Sequence, residues 1–435
     1  MVTTTWRNWA GNQQAQPAAI EHPRGTEEVA LLVKQAAAAG RRVKAVGAAH
    51  SFTGAAATDG VLVKLDRMDG LVAADAATGL VTVQAGIPLH RLNQVLAQAG
   101  LAMSNLGDID RQSIAGATST ATHGTGQSFG GLATQIRGLE IVTGAGEVLT
   151  CSATDNAEVF ESARVGIGAL GIVTAVTLQC EPAFTLVADE RPMPLAEVME
   201  RLDDLAADNA HFEFYWFPNT DVALTKRNNR PAPDDPPMPL NRFRGWLDDE
   251  FFSNTVFNAM CGITRRSPAL VPRFNRMAAK TLGARRYTAA SYEVFTSPRR
   301  VRFVEMEYAV PRAALRDAVR AVQRVIERDG LHVSFPIEVR VAAGDDIPLS
   351  TAYGRDTGYV AIHRYHGEPF EPYFRAVERE MRDLDGRPHW GKMHWRTAAD
   401  LRPAYPRFDD FLAVRERTDP QRVFANAYLE TVLGR

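Results

Sequence analysis

Short helical and strand-like patterns alternate along residues 26–180. The run "TEEVALLVKQAAAAG" predicts a helix with Thr26 as its N-cap and Gly40 at its end. "RRVKAVG" and "GVLVKLDRM" predict buried strands, and "GLVTVQAGIPLHRLNQVLAQAG" predicts a strand, a turn and a helix. "IRGLEIVTGAGEVLTCS" predicts a hairpin, and "GIVTAVTLQCEP" predicts a last strand that Pro182 ends. These elements indicate small α/β units.

Longer apolar strands characterise residues 184 to about 380. They are "HFEFYWFP", "RFVEMEYAVP", "LHVSFPIEVRV" and "GYVAIHRYH", and they alternate with helices such as "RAALRDAVRAVQRVIERDG". The Pro-rich run at 228–242 predicts an exposed loop, and the end of the chain predicts a helix and a turn. We therefore expect an α+β protein whose second part contains one large sheet.

Composition narrows the class of protein. A length of 435 residues favours two domains, and 45% hydrophobic with 23% charged residues is typical of a globular protein. The net charge of −2 argues against a nucleic-acid partner. We expect no membrane span and at most peripheral membrane association, because no run of about 18 apolar residues occurs. The N-terminus lacks a signal-peptide pattern. Three cysteines without CxxC spacing predict no metal site, no disulfide framework and a cytoplasmic location.

Two segments rich in small residues are candidate ligand sites. In "VGAAHSFTG", three small residues precede His50 and leave space for a close approach to its ring. The segment 107–131, "GDIDRQSIAGATSTATHGTGQSFGG", is suited to binding a phosphate through backbone N–H groups. The alternative for 107–131 is a flexible surface loop. Residues 166–171 match GxGxxG, but the predicted helix precedes them and the strand follows, so we reject a Rossmann site.

Charged residues interrupt the apolar strands. Alternation in "LHVSFPIEVRV" places five residues on a core face: Val333, Phe335, Ile337, Val339 and Val341. Glu338 and Arg340 share the other face, about 7 Å apart, and His363 follows the same pattern in the next strand. These residues line either a polar cleft or a solvent-exposed face with a weak ion pair. In "RPHWGKMHW", Lys392 is a candidate cation for an anionic group.

These features in this order resemble flavoproteins of the vanillyl-alcohol oxidase type, and among them the aldonolactone oxidoreductases. The matching motifs run nearly the whole length: "NWAGNQ" (8–13), "GAAHSFTGAAATDGVLVKLDRM" (47–68), "IAGATSTATHGTG" (114–126), "GALGIVTAVTL" (168–178), "IEVRVAAGDD" (337–346) and "RPHWGKMH" (387–394). The resemblance implies an FAD-binding domain of two small α/β subdomains at 8–183. It also implies a cap domain with a large antiparallel sheet at 184–435, whose segment from about 400 to 435 packs back on the FAD domain.

The resemblance also implies the cofactor contacts. His50 would bond covalently to the 8α-methyl group of FAD, within a motif that is usually Gly-x-Gly-His-Ser and here has Ala49 at the second glycine. The other expected contacts are Gly47, Ala48, Ala49, Ser51, Ser113, Gly116, Ser119, Thr122, His123, Gly124, Ile172, Val173 and His394.

The implied reaction is oxidation of an aldonolactone at the C2 hydroxyl. Lys392 would stabilise the negative charge of reduced flavin, Arg340 would bind the lactone oxygens, and the base would be His363 or Glu338. The product would be of the ascorbate type, and oxygen or another acceptor would reoxidise the flavin. The alternatives are an alditol oxidase that makes hydrogen peroxide and a carbohydrate-binding module without redox activity; His394 favours the lactone enzyme.

Overall fold

The computed structural model describes residues 5–434, apart from the side chains at 242 and 244. Residues up to 183 form the strands β1 (Trp6–Arg7), β2 (Gln14–Ala15), β3 (Ala19–Glu21), β4 (Val43–Val46), β5 (Val61–Lys64), β6 (Leu71–Asp75), β7 (Leu80–Gln84), β8 (Leu101–Ala102), β9 (Ile136–Val142), β10 (Val148–Ser152), β11 (Ile172–Gln179) and β12 (Glu181–Pro182). The helices between them are α1 (Thr26–Ala38), α2 (Leu89–Gln98), α3 (Ile114–Ser119) and α4 (Ala157–Ala163).

Two sheets organise this first part. Strands β3, β5 and β4 form a parallel sheet, and β10, β9, β11, β7 and β6 form an antiparallel sheet in that order. The hairpin predicted at 136–152 is confirmed as β9 and β10. Segment 107–131 is not the flexible surface loop weighed as an alternative, because it contains α3 and buries Ile114, Ala117 and Thr118.

Residues from 184 onward form the strands β13 (Thr185–Pro194), β14 (His211–Trp216), β15 (Val222–Asn229), β16 (Arg285–Ala290), β17 (Phe303–Pro311), β18 (Ile337–Ala342), β19 (Thr357–Tyr365) and β20 (Arg387–Pro388). The helices are α5 (Leu195–Glu200), α6 (Leu202–Ala207), α7 (Arg242–Gly245), α8 (Phe257–Arg266), α9 (Val271–Thr281), α10 (Ser291–Phe295), α11 (Leu315–Arg328), α12 (Glu371–Asp383), α13 (Ala398–Leu401), α14 (Phe408–Thr418) and α15 (Ala427–Leu433). Trp246–Val256 is π-helical.

A single large antiparallel sheet dominates the second part, in the order β16-β13-β15-β14-β18-β19-β17-β20. The α+β class is therefore confirmed. The alternation predicted in β18 is also confirmed, because Val339 and Val341 are both 1% exposed and pack in the core with α11 and α12. The opposite face is not solvent-exposed: Glu338 and Arg340 are each only 9% exposed. The first part of the chain reaches this sheet, since Gly126 N donates to Val341 O at 2.8 Å.

Two other local features bear on the sequence analysis. Helix α1 begins at Thr26 itself and has Gly25 as its N-cap, so the N-cap prediction is wrong by one residue. The Thr26 hydroxyl instead donates to Glu140 Oε1 at 2.6 Å, a partner 114 positions away. Near the C-terminus, α14 and α15 pack their apolar side chains in one core with β7, β9 and β11. Among residues 5–434, no helix is both long enough and apolar enough to cross a bilayer.

The packing of α11 gives a stability prediction. Leu315 is 0% exposed, whereas Leu31 on α1 is 56% exposed. We expect Leu315→Ala to lower the free energy of unfolding by about 2–5 kcal/mol, because the change removes buried methyl groups and leaves a cavity. Leu31→Ala is the matched control, with a change within about 0.5 kcal/mol. Equal destabilisation of both variants in urea unfolding would contradict this packing.

Candidate functional site

A cavity in the first part of the chain contains about 1040 Å³ of empty space, some of it open to solvent. Most of the expected cofactor contacts line it: Gly47, Ala48, Ala49, His50, Ser51, Ser113, Gly116, Ser119, Ile172 and Val173. Thr122, His123, Gly124 and His394 lie outside this lining. Gly47 allows two parts of the cavity wall to pack closely, because a Cβ added there would lie 2.1 Å from Ser113 Oγ.

The His50 loop, residues 48–52, contains backbone N–H groups that have no acceptor in the described part of the chain. Phe52 N donates to Gly391 O at 2.7 Å, but across residues 5–434 no protein group accepts from the N–H groups of residues 48–51. Ala49 adopts a left-handed φ of +59°, which gives this loop the turn found in backbone anion sites. A run of free N–H groups beside a large cavity fits a pyrophosphate.

The motif at 8–13 holds the carbonyl groups of the same loop. Asn8 Nδ2 donates to Ser51 O and Asn12 Nδ2 donates to Phe52 O, both at 2.9 Å. Trp9 N donates to Ala49 O at 2.8 Å. Because its carbonyl groups are bonded to this motif, the loop keeps its N–H groups available for a ligand.

The left-handed conformation at Ala49 also explains why the motif that this segment resembles usually has glycine at this position. A residue with a Cβ is strained there by about 1 kcal/mol relative to glycine. The chain carries this strain next to His50, the residue expected to bond to FAD. Burial and the positive charges of Lys392 and Arg111 lower the pKa of His50 to about 4, so its ring is neutral near pH 7.

Sequence reasoning missed two contributors to the cavity. The loop 166–171, rejected as a Rossmann fingerprint, still lines the cavity, and its β-branched Ile167 has a strained φ of +45°. Lys44, on β4, is 2% exposed and donates from Nζ to Gly168 O at 2.8 Å and Phe424 O at 3.1 Å. Burial and Arg415 lower the pKa of Lys44 to about 7. A lone lysine in an apolar strand was the available signal.

A row of alternating charges crosses the covered face of the large sheet. Cross-strand pairing places Arg285, Glu190, Lys226, Glu213 and Arg340 opposite one another on consecutive strands. Arg285 Nε lies 2.7 Å from Glu190 Oε2, Lys226 Nζ 3.5 Å from Glu213 Oε1, and Arg340 Nε 2.6 Å from Glu213 Oε2. Each buried charge therefore has a neighbour of opposite sign.

Glu338 and Arg340 form the predicted pair at the end of this row. Arg340 Nη2 lies 2.5 Å from Glu338 Oε1, in an ion pair whose angles are not those of a hydrogen bond. Burial raises the pKa of Glu338, and the charge of Arg340 only partly opposes this effect. Glu338 therefore has acceptor capacity left for a ligand hydroxyl.

His363 and Lys392 meet at one carboxylate that the sequence reasoning did not single out, Glu305 on β17. Glu305 Oε2 forms an ion pair with Lys392 Nζ, and Glu305 Oε1 lies 3.5 Å from His363 Nε2. Burial alone would raise the pKa of Glu305, but Lys392 and His363 outweigh it and hold this pKa at about 2. The signal in the sequence was the pair of carboxylates, Glu305 and Glu307, in the apolar strand "RFVEMEYAVP".

The turn at 389–392 joins the charged sheet to the cavity. His389 N donates to Glu307 O at 3.0 Å, and Lys392 N donates to His389 O at 3.0 Å. A Cβ added at Gly391 would lie 3.3 Å from Ser51 Oγ and from Thr120 Oγ1, both on residues that line the cavity. Lys392 consequently lies where the sheet and the His50 loop meet.

His123, Glu307 and His389 form a buried cluster whose ligand atoms lie within 4.8 Å of one another. His123 Nδ1 contacts Gly124 O at 2.8 Å and Nε2 contacts Glu307 Oε1 at 3.1 Å. Both nitrogens of His123 therefore face oxygen atoms that can only accept. His389 Nδ1 accepts from Gly391 N at 3.0 Å. Hydrogen-bond contacts thus involve both nitrogens of His123 and Nδ1 of His389.

His394 lies apart from the cavity. Its Nε2 contacts the Tyr428 hydroxyl at 3.1 Å, and Tyr428 donates to Trp390 O at 3.1 Å. Burial and Arg396 lower the pKa of His394 to about 3, so the ring is neutral. These contacts connect His394, two residues after Lys392, to α15.

Two family models match the chain. Residues 17–152 match the FAD-binding domain family, and residues 176–432 match the D-arabinono-1,4-lactone oxidase family. These matches confirm the resemblance drawn from the motifs, and they identify FAD as the cofactor that the cavity fits.

Similar proteins cover the full chain. It is 47% identical over 435 residues to the L-gulono-1,4-lactone dehydrogenase of Mycobacterium tuberculosis, with 100% of both chains covered. It is 36% identical over 437 residues to the L-gulonolactone oxidase of Bos taurus, covering 98% of each chain. It is 30% identical over 452 residues to the alditol oxidase of a Streptomyces species, covering 99% of this chain and 100% of that relative.

A solved structure has the same fold. The cholesterol oxidase from B. sterolicum superposes with a TM-score of 0.82 at 18% sequence identity, covering 99% of this chain and 97% of that chain. At this identity the likeness establishes the architecture alone, and it confirms the expected fold.

The support of the His50 loop gives a prediction. Asn12→Ala removes one of two donors to Phe52 O, the other being Gln13 Nε2 at 3.1 Å. We expect it to destabilise the flavin-loaded protein by about 0.5–1.5 kcal/mol, because one intramolecular hydrogen bond is lost. Thermal unfolding, followed by the rise in flavin fluorescence as the fold opens, measures the effect. Gln94→Ala, which removes an exposed amide on α2, is the control. An unchanged unfolding temperature in Asn12→Ala would show that this bond does not hold the loop.

Proposed function

The chain belongs to the D-arabinono-1,4-lactone oxidase family, and from that premise we propose that it oxidises an aldonolactone such as L-gulono-1,4-lactone with FAD as its cofactor. One observation carries this proposal: the free N–H groups of residues 48–51 lie beside the turn that bears Lys392, and that turn joins the sheet face on which Glu338, Arg340 and His363 are buried. In this proposal residues 8–183 are the FAD-binding domain, and residues 184–435 are the cap, with the segment from about 400 packed on the FAD domain.

His50, Gly47, Ala48, Ala49, Ser51, Ser113, Gly116, Ser119, Ile172 and Val173 are the proposed cofactor contacts. Their position in the cavity lining supports this assignment, and the neutral His50 ring suits the proposed covalent bond to the 8α-methyl group. Thr122, His123 and Gly124 act indirectly in this proposal. His123 connects the cofactor side of the chain to Glu307 on β17.

Bound FAD would supply an acceptor for the hydride that leaves C2 of the lactone. Arg340 would bind lactone oxygens through its planar guanidinium, and Glu338 would accept hydrogen bonds from hydroxyl groups. His363 would take the hydroxyl proton, because its Nδ1 is buried and makes no hydrogen bond within residues 5–434. Lys392 would stabilise developing negative charge at the cofactor.

An alditol oxidase is the second candidate, favoured by the relative from Streptomyces. The hypothesis of a lactone substrate has stronger support, because the M. tuberculosis relative is 47% identical and the alditol oxidase is 30% identical. We propose further that oxygen or another acceptor reoxidises the flavin. A cytoplasmic location is also part of the proposal, supported by three buried cysteines without disulfides.

The substrate class has a direct test. We expect L-gulono-1,4-lactone to bleach the flavin absorbance when it is mixed anaerobically with the yellow protein. Xylitol and sorbitol should bleach it at least tenfold more slowly. Admitting air, or a dye, then separates an oxidase from a dehydrogenase. Bleaching by the polyols and not by the lactones would contradict the lactone assignment, and a colourless protein would contradict the redox function.

The covalent bond has a separate test. We expect acid-precipitated protein to retain flavin fluorescence on a denaturing gel, since a bond to His50 would survive unfolding. His50→Ala should lose that signal, whereas Ala49→Gly, which relieves the left-handed strain, should keep it. Flavin released into the acid supernatant of the unmodified protein would disprove the bond.

A further inference from the structure

We propose that Glu305 is a positioning residue whose single carboxylate holds both the base and the cation of the reaction, His363 and Lys392. The inference deepens the proposed function and rests on it for the roles of those two residues. It assigns to Glu305 a role that neither the motifs nor the relatives' names describe.

Backbone pairing fixes the first half of this arrangement. Glu305 on β17 lies directly opposite His363 on β19 in the antiparallel register. Side chains at such paired positions share one face of the sheet and lie close together. Glu305 Oε1 accordingly lies 3.5 Å from His363 Nε2, and the two side chains are 6% and 9% exposed.

The second half comes from the turn at 389–392. Glu305 accepts a backbone hydrogen bond from Met393 N at 2.8 Å, so its main chain anchors the residue that follows Lys392. Its side-chain Oε2 pairs with Lys392 Nζ. Glu305 therefore positions Lys392 through both its main chain and its side chain.

The contact with Glu305 specifies which nitrogen of His363 can accept the proton of the substrate hydroxyl. A carboxylate accepts only, so the nitrogen that faces Glu305 is the one that carries the proton in the neutral ring. That leaves a lone pair on Nδ1, which is buried without a hydrogen-bond partner in the described part of the chain. A carboxylate behind an imidazole fixes the tautomer and stabilises the imidazolium that forms.

The charge at Lys392 is balanced by the same carboxylate. Burial alone would lower the pKa of Lys392, but Glu305 and Glu307 outweigh it and raise this pKa, so the side chain stays charged. The pair of Lys392 and Glu305 is then neutral overall before reaction. Loss of the Glu305 charge would expose the bound flavin to an uncompensated cation, which favours the reduced, anionic flavin.

Charged groups from three elements lie near His363: Glu305 on β17, Glu338 on the neighbouring β18 and Lys392 on the turn. The rings of Phe303 and Phe335 also pack against it. Of the two carboxylates, Glu305 is the one within 4 Å. Glu305→Gln therefore removes the anion nearest to the imidazolium that would form when His363 takes the substrate proton.

Glu305→Gln tests the proposal through two readouts. The midpoint potential of the bound flavin, measured by dye-coupled reduction without substrate, should rise relative to the unmodified protein. The acidic limb in the pH dependence of flavin reduction by L-gulono-1,4-lactone should move about one unit lower. Glu305→Asp, which keeps the charge, should hold the potential near that of the unmodified protein.

The matched control is Glu378→Gln. Glu378 is a carboxylate 5% exposed that accepts from Tyr308 on the same strand and from Trp395 N just beyond the turn, without a contact to His363 or Lys392. Both readouts should remain unchanged in this variant. A potential and an acidic limb in Glu305→Gln that match those of the unmodified protein would overturn the proposal.

A double variant covers the case in which Glu305→Gln does not fold because it leaves Lys392 unpaired. Glu305→Gln with Lys392→Met removes both charges, and its flavin potential should exceed that of Lys392→Met alone. Equal potentials would overturn the proposal. A shifted potential in a protein that no lactone reduces would contradict the proposed substrate, yet it would support the position of Glu305.

Discussion

Buried charge is the constraint on which this structure depends. The large sheet carries ionised side chains on the face that the first part of the chain covers, and an unpaired charge in such a place costs several kcal/mol. Antiparallel register solves the problem by setting cations opposite anions on successive strands, from Arg285 to Arg340. The same rule continues at the far side of the sheet, where Glu305 lies opposite His363.

Backbone contacts of the turn at 389–392 also make the two parts of the chain interdependent. The turn at 389–392 is bonded to β17 through Glu307 O and touches Ser51 and Thr120 in the cavity wall. A cofactor seated in the cavity would therefore meet Lys392 at a position that the cap sheet determines. The segment 8–13 acts from the other side, since its amides bond to the carbonyl groups of the His50 loop.

The two faces of a single strand could be predicted from the sequence. Alternation in β18 predicted both the core face and the partnership of Glu338 and Arg340, because neighbouring side chains of one strand face are set by the pleat alone. Contacts between residues far apart in the sequence could not be predicted from it. Asn12 is 40 positions from Phe52, and Glu305 is 58 positions from His363, so only the fold reveals these contacts.

The loop at 166–171 shows another limit of local patterns. Its order relative to helix and strand excluded a Rossmann site, yet its backbone still lines the cavity. Whether a glycine-rich turn faces a ligand depends on strands that pair from elsewhere, here β11 with β9 and β7. The hydrogen bonds of Lys44 could not be predicted for the same reason, because its partners Gly168 and Phe424 lie far away along the chain.

A crystal structure of the yellow, flavin-loaded protein tests the central claim most directly. The account predicts a pyrophosphate bound by the N–H groups of residues 48–51, with the isoalloxazine ring between His50 and Lys392. A flavin outside the cavity, or one whose ring lies away from Lys392 and Glu305, would contradict it.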